Sequence, residues 1–455
     1  MTHAAVQPHG PHKWNPQLIR SALVAALGGL LFGFDTAVIA GTTRALTEVY
    51  QLTPALLGFT VSSALWGTVL GSLFAGVPAD RYGRQGCLKV LAVLYVASAV
   101  GCGFALNWYI VVLSRFIGGL AIGGSSVIGP MYIAEISPAD KRGRLVGLFQ
   151  FNIVVGILVA YFSNYLIGQQ GLGDVEWRWK LGIAGVPAAA FFLALFGIPE
   201  SPRWLAAMNR REEALAVLTK TGDPDPEREL QEIVATVHAE RGRPHERLLQ
   251  SRYVRGIFLA VSIGMFNQLS GINAILYYLN DIFEQAGFSR VSSDMQAVAI
   301  GFTNLLFTII AMSVIDRLGR KKLLLIGAVG TASCLAGVSI VFATGQHKSM
   351  LLWLLVGFIG FFAFSQGAVI WVYLSEVFPN LVRAKGQSLG SFTHWIMNAM
   401  ISGVFPVLAK SSGAAPFIFF TVMTVVQFFV VLTLYPETKG VTLEEVDVNV
   451  THSRL

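Results

Sequence analysis

Two charged residues, Asp35 and Arg115, fall inside apolar runs long enough to cross a lipid bilayer. A charge at that depth costs at least about 2.5–3.5 kcal/mol on insertion scales. Opposite charges on neighbouring helices would offset that cost, and such a pair has two readings. It is a static ion pair that ties helices together, or it is a proton site. In the second case a conformational change that separates carboxylate from guanidinium switches the carboxylate's proton affinity. A second pattern is basic: Asp80-Arg81-Tyr82-Gly83-Arg84 lies between apolar runs and returns as Asp316-Arg317-Leu318-Gly319-Arg320. Arginines placed there can pair with acids at helix ends, with Glu135, Glu200, Glu376 and Glu437 as candidates. The plainer reading is a topology signal, because loops on one side of a membrane carry excess Lys and Arg.

Enzyme chemistry finds no support. No His-Glu-x-x-His, Walker loop or dinucleotide fingerprint is present. Cys87, Cys102 and Cys334 lie in or beside apolar runs without metal-ligand spacing and read as small packing residues. His3, His9, His12, His238, His245, His347 and His452 fall in tails or connections and read as solvated surface. Neither a metal nor a cofactor is expected.

The elements that must carry these residues follow from composition. Only 13% of the 455 residues are charged and 54% are hydrophobic, with a mean hydropathy of +0.61. Ordinary soluble domains carry roughly a quarter charged residues. Lipid, which accepts apolar side chains all round a helix, accounts for the difference. The net charge of +7 comes in short clusters between apolar runs, which argues against a nucleic-acid partner. Apolar runs at 18–40, 56–76, 86–105, 109–131, 144–167 and 179–198 predict six spans. Runs at 255–279, 297–315, 321–343, 351–375, 387–408 and 415–435 predict six more. The polar stretch up to about Gln17 lacks a cleavage signal after it, so the first run reads as a retained helix. The charged gap after Pro199 reads as short amphipathic helices on one membrane face.

Orientation follows from the basic residues. Even-numbered connections hold Arg81, Arg84, Lys141, Arg142, Arg144, Arg317, Arg320, Lys321, Lys322, Arg383 and Lys385. Odd-numbered ones hold only Arg44, Arg178, Lys180, Arg290, Lys348 and Lys410. Both termini are therefore predicted to be cytoplasmic. The two sets of six also repeat. Asp80 to Arg84, Tyr132-Ile133-Ala134-Glu135 and Pro199-Glu200 recur at Asp316, at Tyr373-Leu374-Ser375-Glu376 and at Pro436-Glu437, offsets of 236, 241 and 237 residues. Six spans per half is an even number, so the copies are parallel repeats, as in transporters that rock two halves about a central site.

These motifs resemble the sugar porter family of the major facilitator superfamily. The likeness is carried by the paired D-R-x-G-R loops, Arg115-Phe116-Ile117-Gly118-Gly119 and the stretch from Tyr132 to Arg144. Pro199-Glu200-Ser201-Pro202-Arg203-Trp204, Gln268-Leu269-Ser270-Gly271-Ile272-Asn273 and Pro436-Glu437-Thr438-Lys439-Gly440 add to it. Together they cover about Gly28 to Gly440. Gly28 to Thr36, with its aspartate, is similar to proton-coupled bacterial members, and facilitative relatives usually lack an acid at that position. The resemblance implies proton coupling at Asp35 and Arg115. It implies a sugar site at Gln150, Gln268, Asn273, Asn304, Trp371, Trp395 and Asn398, with Phe32, Asn267, Tyr277, Tyr278 and His394 as further candidates. Amides both donate to and accept from hydroxyls without adding charge, and indoles pack on the apolar sugar face; interhelical glue is the alternative for any single amide. It also implies a cytoplasmic gate of Asp80, Arg81, Gly83, Arg84, Glu135, Arg142, Glu200, Arg203, Asp316, Arg317, Gly319, Arg320, Glu376, Arg383 and Glu437. Such pairs would clamp the halves when the protein faces outward and release them when it faces inward.

Three departures bear on the substrate. Asn267 stands where the family often has a second Gln, Gly367-Ala368 where it has Gly-Pro, and His394 where it has Asn or Gln. The first shifts one sugar contact, the second alters helix breakage, and the third contacts sugar, titrates or packs. With Ile157 they hint at a hexose, while xylose, galactose and polyols stay open.

The expected protein is an all-α, twelve-helix, multi-pass protein of a cell membrane, able to act as a monomer. Its parts are a cytoplasmic tail (1–17), a six-helix bundle (18–198), a cytoplasmic helical linker (199–254), a second bundle (255–435) and a cytoplasmic tail (436–455). Its partners are a monosaccharide, a proton and the bilayer, with no obligate protein partner. The alternatives are a sugar uniporter and a transporter-like sugar sensor, the latter disfavoured by the short stretch after Gly440.

Overall fold

The computed structural model describes residues 14–241, 246–379 and 381–439. The tail readings, with His3, His9, His12, His452 and Gly440, lie outside the described residues, as does His245. Among the described residues twelve helices are long and apolar enough to cross a membrane. They are α1 (Pro16–Gly41), α2 (Pro54–Phe74), α3 (Arg84–Gly103), α4 (Trp108–Ile136), α5 (Arg142–Gly168) and α6 (Gly173–Gly197) in one half. The other half holds α7 (Ser251–Tyr277), α8 (Arg290–Leu318), α9 (Arg320–Thr344), α10 (Lys348–Glu376), α11 (Arg383–Ser411) and α12 (Ala415–Leu434). Helices Pro202–Ala207, Arg211–Thr221 and Pro226–Arg241 connect the halves.

Local chemistry sets the helix starts. Asn15 accepts from the Gln17 and Leu18 amides with Pro16 in the first turn, and Thr53 with Pro54 does the same for α2. Ser289 caps α8, so that helix starts well before its apolar run. The apolar run begins near 297 because Arg290 and Asp294 interrupt hydropathy, not because the helix stops there.

Small residues let backbones touch inside each half. A Cβ on Gly119 would lie 1.9 Å from the Ala64 carbonyl oxygen, and one on Gly67 2.2 Å from that of Phe116, so α2 and α4 pack backbone to backbone. The same device joins the halves: a Cβ on Gly58 of α2 would lie 1.9 Å from the Gly403 carbonyl oxygen of α11.

α1 and α7 are interrupted at matching places. α1 tightens into a 3₁₀ turn at Ile39–Gly41 before Thr43–Tyr50. α7 breaks after Leu269 at Gly271, whose φ of +81° only glycine adopts readily, then resumes as Ile272–Tyr277 and Leu279–Gln285. α10 carries Gly367-Ala368 without a break, but a π turn at Ala363–Gly367 widens it. With alanine in place of proline, the amide of residue 368 can stay in the helix, which accounts for a bulge rather than a kink. With six spans per half, both D-R-x-G-R loops share one face, here termed the motif face; the opposite one is the far face.

Candidate functional site

Asp35 of α1 and Arg115 of α4 form an ion pair of 2.8 Å. The Arg115 side chain is 3% exposed and that of Asp35 17%. Arg115 Nε has no partner, so Asp35 is the countercharge that makes its burial tolerable. A cavity opens directly onto the pair, lined among others by Phe32, Thr36, Tyr277 and Trp395. The cavity therefore takes walls from both halves.

In the second half the amides form two chains, one of which reaches the cavity through Tyr277. Asn273 donates to Gln268 Oε1 (3.1 Å), and Gln268 Nε2 donates to Asn267 Oδ1 (3.1 Å) and to a ring nitrogen of His394 (3.2 Å). Asn398 donates to the Tyr277 hydroxyl (3.2 Å) and accepts from Ser402 (3.1 Å). Aromatic rings close the second wall. Trp395 lies 5.4 Å from Phe32 across the halves, and His394 sits 5.0 Å from Trp395 and 5.2 Å from Trp371. Trp371 is 37% exposed. Gln150 on α5 and Asn304 on α8 are half-buried.

The expected residues divide. Gln268, Asn267, Asn273, His394, Trp395, Trp371, Tyr277, Asn398 and Phe32 are linked by the contacts above. Tyr278 is committed elsewhere: its hydroxyl donates to the Ser402 carbonyl (2.9 Å) and its ring stacks on Phe405 at 5.0 Å. Val61, Ala64, Leu65 and Thr68 line the cavity without having been singled out in the sequence. Their small or apolar side chains carry no chemical signal, and only the α1–α2 geometry reveals them.

The motif face repeats one arrangement twice. Arg84 grips Glu135 (2.8 and 2.9 Å) and reaches Asp80 (3.2 Å). Arg320 grips Glu376 (2.8 and 3.1 Å) and reaches Asp316 (3.1 Å). Glu200 accepts the Arg84 amide (3.0 Å) and Glu437 the Arg320 amide (2.8 Å), each capping the helix that follows. Gly83 and Gly319 sit at φ +89° and +86°, and a Cβ on either would strike the capping glutamate. Ser201 donates to Glu135 and Thr438 to Glu376, both at 2.6 Å. These pairs each stay within one half; none of them ties the halves together in this conformation. Arg81, Arg142 and Arg317 are exposed, and Arg383 donates to the Phe378 carbonyl (3.3 Å). Arg203 lies beside Glu200 in sequence, in the first turn of Pro202–Ala207.

On the far face three ion pairs join the halves. Arg44 meets Glu284 (2.8 Å), Lys180 meets Asp294 (3.1 Å) and Arg290 meets Glu176 (3.2 Å). By sequence Lys180 counts with an odd-numbered connection at the start of the sixth span; in the structure it is fully buried in α6.

Two pseudo-symmetric six-helix halves around a central cavity that holds a buried ion pair define a membrane transporter of the major facilitator fold. A family model described as "Sugar (and other) transporter" matches residues 21–450, and the chain belongs to that sugar porter family. The D-xylose-proton symporter of Escherichia coli K12 is 36% identical over 93% of this chain and 94% of its own length. The glucose transport protein of Synechocystis is 38% identical over 93% and 95%. The inward open conformation of the E. coli xylose transporter superposes with a TM-score of 0.84 at 34% identity, covering 94% of this chain and 98% of that one.

Proposed function

We propose that the protein carries a monosaccharide, most suitably a hexose such as glucose, across the cell membrane together with a proton by alternating access. The observation that carries this reading is the cavity where Phe32, Trp395 and Tyr277, the last bonded to Asn398, face the Asp35–Arg115 pair. Gln268, Asn273 and Asn398 supply donors and acceptors for hydroxyls, and Trp395 and Phe32 an apolar wall for the ring. Asp35 binds the proton when a conformational change parts it from Arg115. The halves 18–198 and 255–435 move as units about this site.

The motif face is the cytoplasmic one, with both termini and the linker on that side. In this conformation the far, extracellular face is joined by ion pairs, and Trp371 is partly exposed. On this reading the state is inward-facing, with each arginine–glutamate pair of the motif loops held within its own half. The likeness to relatives named as proton symporters of xylose supports coupling, and the aspartate at 35 is its structural counterpart. The test is a competition panel on the purified protein with D-glucose, D-xylose, D-galactose and a polyol against labelled sugar. Preference for a hexose is expected, and displacement by none of them would refute a monosaccharide substrate.

A further inference from the structure

The far-face seam holds a cluster that the transport site does not use. α6 presents Glu176 and Lys180 one turn apart, 2.8 Å between their charged atoms. Lys180 is completely buried, and its ammonium also donates to the Gly41 carbonyl (3.2 Å) at the end of α1 and to Asp294 Oδ2 (3.1 Å). Asp294 belongs to α8 of the other half, and its second oxygen accepts from Asn280 (2.5 Å). Arg290, one turn earlier on α8, returns to Glu176 at 3.2 Å. The end of α5 closes over the group: a Cβ on Gly168 would lie 2.8 Å from Asp294 Oδ2 and 3.7 Å from the Lys180 ammonium.

The four charges sum to zero, and two of the three ion pairs cross the seam. A lysine wholly out of water is tolerable only while its countercharges are in place. Glu176 travels with Lys180, but Asp294 arrives only when the halves close. Parting the halves therefore removes one partner and replaces it with water. An apolar patch would also hold the seam shut, but its parted surfaces stay poorly solvated. Parted charges rehydrate, so this contact can close firmly and still open.

We propose that Lys180 and Asp294, with Glu176 and Arg290, form a charged latch that holds the extracellular face closed and sets the balance between inward- and outward-facing protein. This rests on the alternating-access reading above. It makes Lys180 and Asp294 positioning residues of the transport cycle, which never touch the sugar.

The test reads the separation of the halves directly. Spin labels at Ala55→Cys and Ser412→Cys, both exposed and on opposite sides of the seam, report it by electron–electron distance measurement in liposomes. The three native cysteines are changed to alanine. Lys180→Met leaves the cluster with net charge −1, and Asp294→Asn leaves it with +1. Each should raise the long-distance to short-distance ratio roughly tenfold to a hundredfold, the worth of one hydrogen bond to a charged group. Lys180→Met with Asp294→Leu leaves the neutral Glu176–Arg290 pair, and should return the ratio to within about threefold of the parent. Thermal unfolding of each variant, measured alongside, identifies any that fails to fold. A merely structural role would lower stability without shifting the ratio, and that result overturns the latch. So does a double variant as open as either single one. A parent with two populations and variants that leave them unchanged would overturn the latch and leave alternating access standing. One fixed distance in every protein, sugar present or absent, would overturn both.

Discussion

Replacing Asp35 with asparagine separates the coupling role from the structural one. The side chain keeps its shape, but it no longer binds and releases a proton. Its Oδ1 can still accept from Arg115, which it now meets at 2.8 Å, so the bond survives and the charge balance does not. Removing one partner of a buried pair costs about 3–5 kcal/mol. The 17% exposure of Asp35 and the retained bond put this case at the low end, about 3 kcal/mol or less. The functional effect is larger. One charge crossing 150 mV is worth about 3.4 kcal/mol, which sustains a few hundredfold accumulation. In proteoliposomes with an imposed pH gradient and membrane potential, the parent should approach that ratio and Asp35→Asn should stop near one. Exchange of labelled sugar at equilibrium should persist, because the amides proposed to hold it are on other helices. A lowered unfolding temperature with exchange intact is the expected companion result. A well-folded Asp35→Asn protein that still concentrates sugar along a pH gradient would refute this role, and His394, buried against Gln268, would be tested next.

Gln268→Ala and Asn273→Ala should each weaken sugar binding by about 1–3 kcal/mol with near-normal expression, since each removes bonds to hydroxyls; titration of labelled sugar onto purified variants measures it. Asp281 lies outside the spans at the seam, with Oδ2 buried and unpartnered. Burial pushes its carboxyl up to about 7, with Thr43 and Arg44 opposing and Glu284 adding to the rise. The folded state thus binds the proton more tightly than the unfolded chain, whose carboxyl titrates near 3.9. Its contribution to stability is lost as pH rises from about 4 to 7, by up to about 4 kcal/mol. Asp281→Asn should therefore raise the unfolding temperature more at pH 8 than at pH 5; an equal effect at both would contradict the linkage. A cysteine near Asp223 should resist an impermeant reagent in intact cells, and labelling from outside would invert the topology.

Much of this was legible in the chain because lipid imposes a simple rule on composition. Asp35 and Arg115 stand out against apolar runs, and they do meet. The repeated D-R-x-G-R loops announced matched surroundings, and Arg84 with Glu135 mirrors Arg320 with Glu376. What escaped depends on pairing between distant segments. Lys180 follows Trp177-Arg178-Trp179, and a charge among charges reads as a loop until Asp294, 114 residues later, is brought to it. The same aspartate broke the apolar run that marked α8, which hid the helix's first turns. Tyr277 and Tyr278 are adjacent and alike in type, and only the turn after Gly271 decides which faces the cavity and which faces Ser402.

The central claim is that sugar and proton move together. Purified protein in liposomes, weakly buffered outside and with no imposed gradient, is given sugar while external pH and labelled uptake are followed. Symport predicts that the outside turns alkaline as sugar enters, with proton uptake proportional to sugar uptake and absent in Asp35→Asn. Sugar entry at the same rate with no change of external pH would contradict it and leave a uniporter.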